Sequence, residues 1–71
     1  MNDANFLINL GERIKKHRIK KNMTQNDLAI ECDFEKASMS RIESGQANPT
    51  IRTLFKIAKA LNIELAQLFK D

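Results

Sequence analysis

The sequence holds no Trp, no Tyr and no Val, and its only aromatic residues are four Phe. Lacking Val and Tyr, and showing no sustained alternation of apolar and polar residues, the chain has little material for β-strands. Two Gly and one Pro leave equally little for tight β-turns. Cysteine occurs once, so no internal disulfide can form, and one His beside one Cys cannot complete a zinc site. Cys32 therefore reads as a small buried hydrophobe in a reducing compartment. The chain opens without a basic n-region, so no secretory signal is expected, and no apolar run is long enough to span a membrane. With a single His, no paired inward carboxylates and no phosphate loop, an enzyme is not expected. Nor are catalytic residues, bound metals, cofactors or a membrane partner.

What remains is a helix-rich chain of 71 residues, enough for one domain over 1–71. The expected class is all-α. So small a domain buries a modest core and depends on tightly packed short helices, a bound partner or dimerisation. The net charge is +3, unevenly spread: residues 1–22 carry six Lys/Arg against two Asp/Glu, and "KKHRIKK" (Lys15–Lys21) holds five of the six. Such a block fits a nucleic-acid or anionic-lipid partner, an import signal, or the solvated face of an amphipathic helix.

Periodicity and caps predict five helices. The first runs from about Asp3, a possible N-cap, to Lys21, with Phe6, Leu7, Leu10, Ile14 and then His17 or Lys21 on one stripe. Asn22 suits the left-handed residue that ends a helix. Thr24 caps a second helix, Gln25 to Cys32, burying Leu28, Ala29 and Cys32. After Asp33 and Phe34 comes a third, over about 35–44, closed by Gly45. Pro49 forces Asn48 out of helical angles, and Thr50 caps a fourth helix, Ile51 to Leu61, burying Leu54, Ile57, Ala58 and Leu61. Asn62 ends it, and Glu64–Phe69 makes a last turn or two packing Leu65 and Leu68.

The third helix has little apolar content. At about 100° per residue, Lys36, Ala37, Ser40, Arg41 and Ser44 fall within roughly 140°, opposite Ser38, Met39, Ile42 and Glu43. The first set suits a helix that enters the DNA major groove, because an Arg can fork onto guanine and bulky apolar groups would block approach. A plain surface helix has a similar composition. Glu43 shares the inward face, where a carboxylate is costly unless paired. The best-placed cation is Arg18, so a partly buried Arg18–Glu43 pair is expected to tie the first helix to the third. Otherwise Glu43 lies at the boundary and reaches water.

The run "MTQNDLAIECDFEKASMSRIESGQANPTIRTLFKIAKALNIELAQLF" resembles the Xre/Cro-type helix-turn-helix family of bacterial and phage regulators, with a likeness covering about Leu10 to Phe69. Thr24-Gln25, Leu28-Ala29, Ser40-Arg41-Ile42-Glu43, Gly45, Asn48-Pro49-Thr50 and "LFKIAKAL" (Leu54–Leu61) fall at the family's spacing. The resemblance implies a five-helix, lambda-repressor-like fold whose second and third helices form the reading unit, the third lying in the major groove. By position, Lys36, Ala37, Ser40 and Arg41 would meet base edges. Gln25, Ser44, Asn48, Thr50 and Arg52 would hold phosphates. Arg18 and Glu43 occupy the family's inter-helix ion-pair positions. Asn22, Asp33 and Asn62 stand where glycines are usual; Asn and Asp tolerate left-handed angles best among the other residues. Glu35 replaces a common Ser or Thr cap and should point away from DNA. His17 replaces a frequent Leu, and Ile30 projects away from the core.

The function so implied is regulation of transcription by sequence-specific binding of double-stranded DNA, in the cytoplasm of a bacterium or on behalf of a phage. A homodimer on a palindromic operator is expected. Ile51, Phe55, Ile63 and Phe69 are candidates for its interface or else complete the core. With the chain used by the DNA-binding fold, no small-molecule effector is expected. Restriction–modification controllers, small phage repressors and antitoxins all remain open within this likeness. The competing reading is an antitoxin or other module that uses the same helices to hold another protein.

Overall fold

The computed structural model describes residues 3–70, with side chains from residue 5 onward. Four α-helices follow one another: α1 (Asp3–Lys20), α2 (Gln25–Cys32), α3 (Lys36–Glu43) and α4 (Ile51–Leu61). A single 3₁₀ turn, Leu65–Leu68, comes after them, and no strand occurs among the described residues. The side chain of Asp3, expected as a cap, lies outside the described residues.

Four left-handed residues set these lengths: Asn22 (φ 57°), Asp33 (62°), Gly45 (80°) and Asn62 (57°). Each closes its helix in the same way. The N–H after the left-handed residue reaches back five positions: Met23 to Arg18 (3.1 Å), Phe34 to Ala29 (2.8 Å), Gln46 to Arg41 (2.9 Å) and Ile63 to Ala58 (3.0 Å). This double closure satisfies the carbonyls a helix end leaves open. Three of the four donors, Met23, Phe34 and Ile63, also pack against the core. At the other ends, Thr24 Oγ1 accepts from Asp27 N–H (3.0 Å) and Thr50 Oγ1 from Thr53 N–H (3.1 Å), as Thr caps do.

The core is formed by Leu10, Ile14, Leu28, Ala29, Cys32, Met39, Ile42, Leu54, Ile57, Ala58, Leu61 and Leu68. Helix α3 packs on both α2 and α1, α4 packs on α2, and the 3₁₀ turn bridges α1 and α4. The radius of gyration is 10.8 Å, close to the value of about 11 Å for a compact chain of this length. Gly11 allows α1 and α3 to cross closely: a Cβ there would lie 2.7 Å from the Ile42 carbonyl oxygen.

Three expectations change. The fifth helix is only a four-residue 3₁₀ turn, held by Gln67 N–H to Glu64 O (3.0 Å) and Phe69 N–H to Ala66 O (3.1 Å). So short a segment gains more from tight i→i+3 bonds than from an α-turn it cannot propagate. Helix α1 stops at Lys20, leaving Lys21 exposed in the turn that Asn22 closes. Phe6 is 39 % exposed, outside the core, and stacks on Phe69 with ring centroids 6.3 Å apart. No helix among the described residues is long and apolar enough to cross a membrane.

Candidate nucleic-acid interface

Helix α3 has two unlike faces. Met39, Ile42 and Glu43 are buried and Ser38 half-buried, while Lys36, Ala37, Ser40, Arg41 and Ser44 are exposed. Glu35 stands before the helix as its N-cap, exposed and making no side-chain capping bond. The outer side chains are lightly held. Arg41 Nη2 makes only a long contact with Ser38 Oγ (3.4 Å), and Ser44 Oγ donates to Arg41 O (3.2 Å).

The inner face ends in a polar network. Arg18 Nε donates to Glu43 Oε2 (2.7 Å) and Nη2 to Oε1 (3.0 Å), a bidentate fork between residues only 8 % and 6 % exposed. Arg18 Nη1 also donates to the Met23 carbonyl in the turn before α2 (2.7 Å). Gln25 Nε2 donates to the same Glu43 Oε1 (3.0 Å). A carboxylate only accepts, so the nitrogen side of the Gln25 amide must face it. Its second Nε2 hydrogen and the Gln25 backbone N–H remain as donors at the start of α2. No buried side-chain N or O among the described residues lacks a partner.

The candidate phosphate contacts do not form one cluster. Arg41, Asn48 and Thr50 line a single cleft between α3 and the start of α4, with Ser38, Pro49 and Thr53. Ser44 instead borders a hollow beside α1 with Ile8, Lys15 and Ile19. Arg52 is exposed on the first turn of α4. Thr50 Oγ1 accepts from Thr53 N–H and donates to Thr53 Oγ1 (3.1 Å), so its hydroxyl proton is committed. The donors left for an anion there are the Ile51 and Arg52 N–H groups that open α4, since Thr53 N–H is already bonded to Thr50 Oγ1.

Sequence reasoning passed over three features of this region. Gln25 is tied to Glu43 across 18 positions, which no local pattern announces. The Met23 carbonyl is likewise fixed by tertiary packing. Asp27 was legible, since Thr24-x-x-Asp27 has capping-box spacing. Its carboxylate accepts from Thr24 N–H (2.9 Å), and this backbone bond, reinforced by the Thr24 hydroxyl, lowers its pKa from the usual 3.8. Asp27 thus already complements the positive end of α2. Among the apolar candidates, Ile51 (63 % exposed) and Phe55 (57 %) lie one turn apart on α4, Phe69 stacks on Phe6, and Ile63 packs against the core.

A family model described as helix-turn-helix (HTH_3) matches residues 14–68. Control protein C.MunI of a Mycoplasma species is 36 % identical over 72 aligned positions, covering 100 % of this chain and 95 % of its own. Control protein C.BamHI of Bacillus amyloliquefaciens is 36 % identical over 61, covering 84 % and 75 %. Among solved structures, the restriction–modification controller protein C.AhdI from Aeromonas hydrophila superposes with a TM-score of 0.87 at 32 % identity, covering 89 % of this chain and 96 % of that one. The chain belongs to the helix-turn-helix family. It is a helix-turn-helix transcriptional regulator, similar to restriction–modification controller proteins.

Proposed function

We propose that the protein regulates transcription by lying with α3 in the major groove of double-stranded DNA, as one half of a homodimer on a two-fold operator. One observation carries this reading. The exposed face of α3 bears Lys36, Ala37, Ser40, Arg41 and Ser44 without one large apolar group, on a helix whose other face is fixed by Met39, Ile42 and the Arg18–Glu43 fork. Arg41 suits the O6 and N7 of guanine, Ser40 either donors or acceptors, Ala37 a thymine methyl, and Lys36 a further acceptor. Release of the long Arg41–Ser38 contact costs little. Gln25, Ser44, Asn48, Arg52 and the α4 N-terminus at Thr50 position this helix on phosphates.

An eight-residue helix reads few base pairs, so two copies one DNA turn apart (about 34 Å) supply the missing specificity. Ile51 and Phe55 on α4, with Phe69, are the exposed apolar groups for that pairing, and Ile63, packed against the core, adds only what it leaves uncovered. Occupancy is then governed by protein concentration and cooperative binding rather than by a small effector.

Selection of bound sites from random duplex DNA at two salt concentrations tests this. Two-fold-related half-sites should be enriched, with affinity falling steeply as salt rises. Equal affinity for all duplexes would overturn base reading in favour of a module that holds another protein.

A further inference from the structure

The basic run Lys15–Lys21 is not used up by the reading face. Arg18 is committed to Glu43 and Met23, and Lys15 lies beside Ser44 on the α3 flank, in a hollow that Lys16 and Lys20 also border. A different groove, between α1 and the 3₁₀ turn, is lined by Arg13, Lys16, His17, Lys20, Gln67 and Lys70. None of these is acidic. His17 and Gln67 are half-buried, while Lys16, Lys20 and Lys70 are exposed around them.

Its position on α1 follows from the helix geometry. Gly11 and Arg18 mark the side that meets α3, since both abut Glu43 or its neighbour. At 100° per residue, Arg13, Lys16 and Lys20 lie about 140–160° around the helix from Arg18. Lys16 and Lys20 form the ridge between this groove and the hollow that holds Ser44, whereas Arg13, His17, Gln67 and Lys70 line only the side away from Ser44.

We propose that the groove docks an acidic helical segment of a protein partner while α3 remains on DNA. Lys16 and Lys20 are one turn apart, about 6 Å along the axis, and Glu or Asp residues one turn apart on an approaching helix repeat at the same distance. Lys70 supplies a cation from the facing wall, so an inserted row of carboxylates is flanked on both sides. A slot with a half-buried floor admits a row of side chains, whereas a stiff duplex needs a broad, open surface. Charge complementarity of this kind speeds and selects association.

The test uses the full chain labelled with ¹⁵N and saturated with a short duplex, titrated with the peptide EAAAEAAAEAAAE. Amide shifts should saturate and be confined to residues 13–20 and 67–70. The double variant K16Q/K20Q should bind the peptide at least tenfold more weakly and keep its duplex affinity within about twofold. Shifts at Gln25 and residues 36–44 would mean that the peptide merely mimics DNA at the reading face, and would overturn the proposal. So would the absence of saturable shifts, or a parallel loss of duplex affinity in K16Q/K20Q, which would assign the groove to nucleic acid. Base reading by α3 survives each of these results, because selection of DNA sites measures it separately.

Discussion

Replacing Glu43 by Gln should unfold this protein at a much lower temperature. Glu43 is 6 % exposed and receives three hydrogen bonds, two from Arg18 and one from Gln25. The substitution keeps the volume and one acceptor oxygen but leaves a buried guanidinium without a counter-charge. Breaking a buried pair from one side costs about 3–5 kcal/mol, and the retained oxygen places Gln near the lower end, about 3 kcal/mol. A chain of 71 residues has about 4–11 kcal/mol in all, so the loss is a large share. At about 4–8 °C per kcal/mol, the melting temperature should fall by about 12–24 °C. Circular dichroism at 222 nm measures it. A melt within about 3 °C of the parent would refute the reasoning. Replacing both partners, Arg18→Met with Glu43→Leu, removes the stranded charge and should recover most of the stability. Duplex affinity should not recover with it, because Gln25 will have lost the acceptor that aims its amide.

Gly11→Ala should cost about 1–3 kcal/mol, read from the urea midpoint, because its Cβ would meet backbone of α3 rather than a movable side chain. The Asp27 carboxyl is held below 3.8 by Thr24, so its contribution is present above that value and lost as pH falls through the lower folded one. Urea midpoints followed downward from about pH 5 should drop more steeply for the parent than for Asp27→Asn, and equal slopes would refute this. Arg41→Ala should lose about 1–3 kcal/mol of operator affinity and relax specificity at one base pair, measured by competition between duplexes. Burial, helped by Glu31, pushes the Cys32 thiol up to about 11, so a disulfide reagent at neutral pH should label it only once urea unfolds the chain.

Much of this architecture was legible because it rests on local rules. The stripe Leu54, Ile57, Ala58, Leu61 is buried as its 3.6 period requires, and Thr24 and Thr50 cap where hydroxyls precede apolar runs. Asn22, Asp33 and Asn62 take left-handed angles in place of Gly because each is followed within a residue by an apolar anchor that rewards the turn. The unread parts depend on what meets what in space. Phe6 belongs to the α1 stripe by number, but its ring finds Phe69 instead of the core. Ile63 and Phe69 look equally spare in the sequence, yet the bond from Ile63 N–H to Ala58 turns Ile63 onto the core. Of the α3 site, the outward and inward faces were readable from periodicity. The sharing of one Glu43 oxygen between Arg18 and Gln25 was not, since no period links positions 18, 25 and 43.

That shared oxygen explains why a costly ion pair stands where a Met and a Leu would hold the helices together as firmly. Helix α3 has eight residues and only two large apolar anchors, Met39 and Ile42, three positions apart on one stripe. Two contacts of that kind are non-directional, and they leave the helix free to roll about its axis and slide by fractions of a turn. A bidentate fork fixes both distance and plane at the C-terminal end. Arg18 extends the constraint to the Met23 carbonyl, and Gln25 carries it to the first residue of α2. The rotation that aims Lys36, Ser40 and Arg41 is thereby coupled to the position of the donors at the start of α2. In the major-groove reading proposed for α3, an error of about 1 Å is enough to lose a bidentate hydrogen bond. The network therefore contributes more to the aim of α3 than to its adhesion.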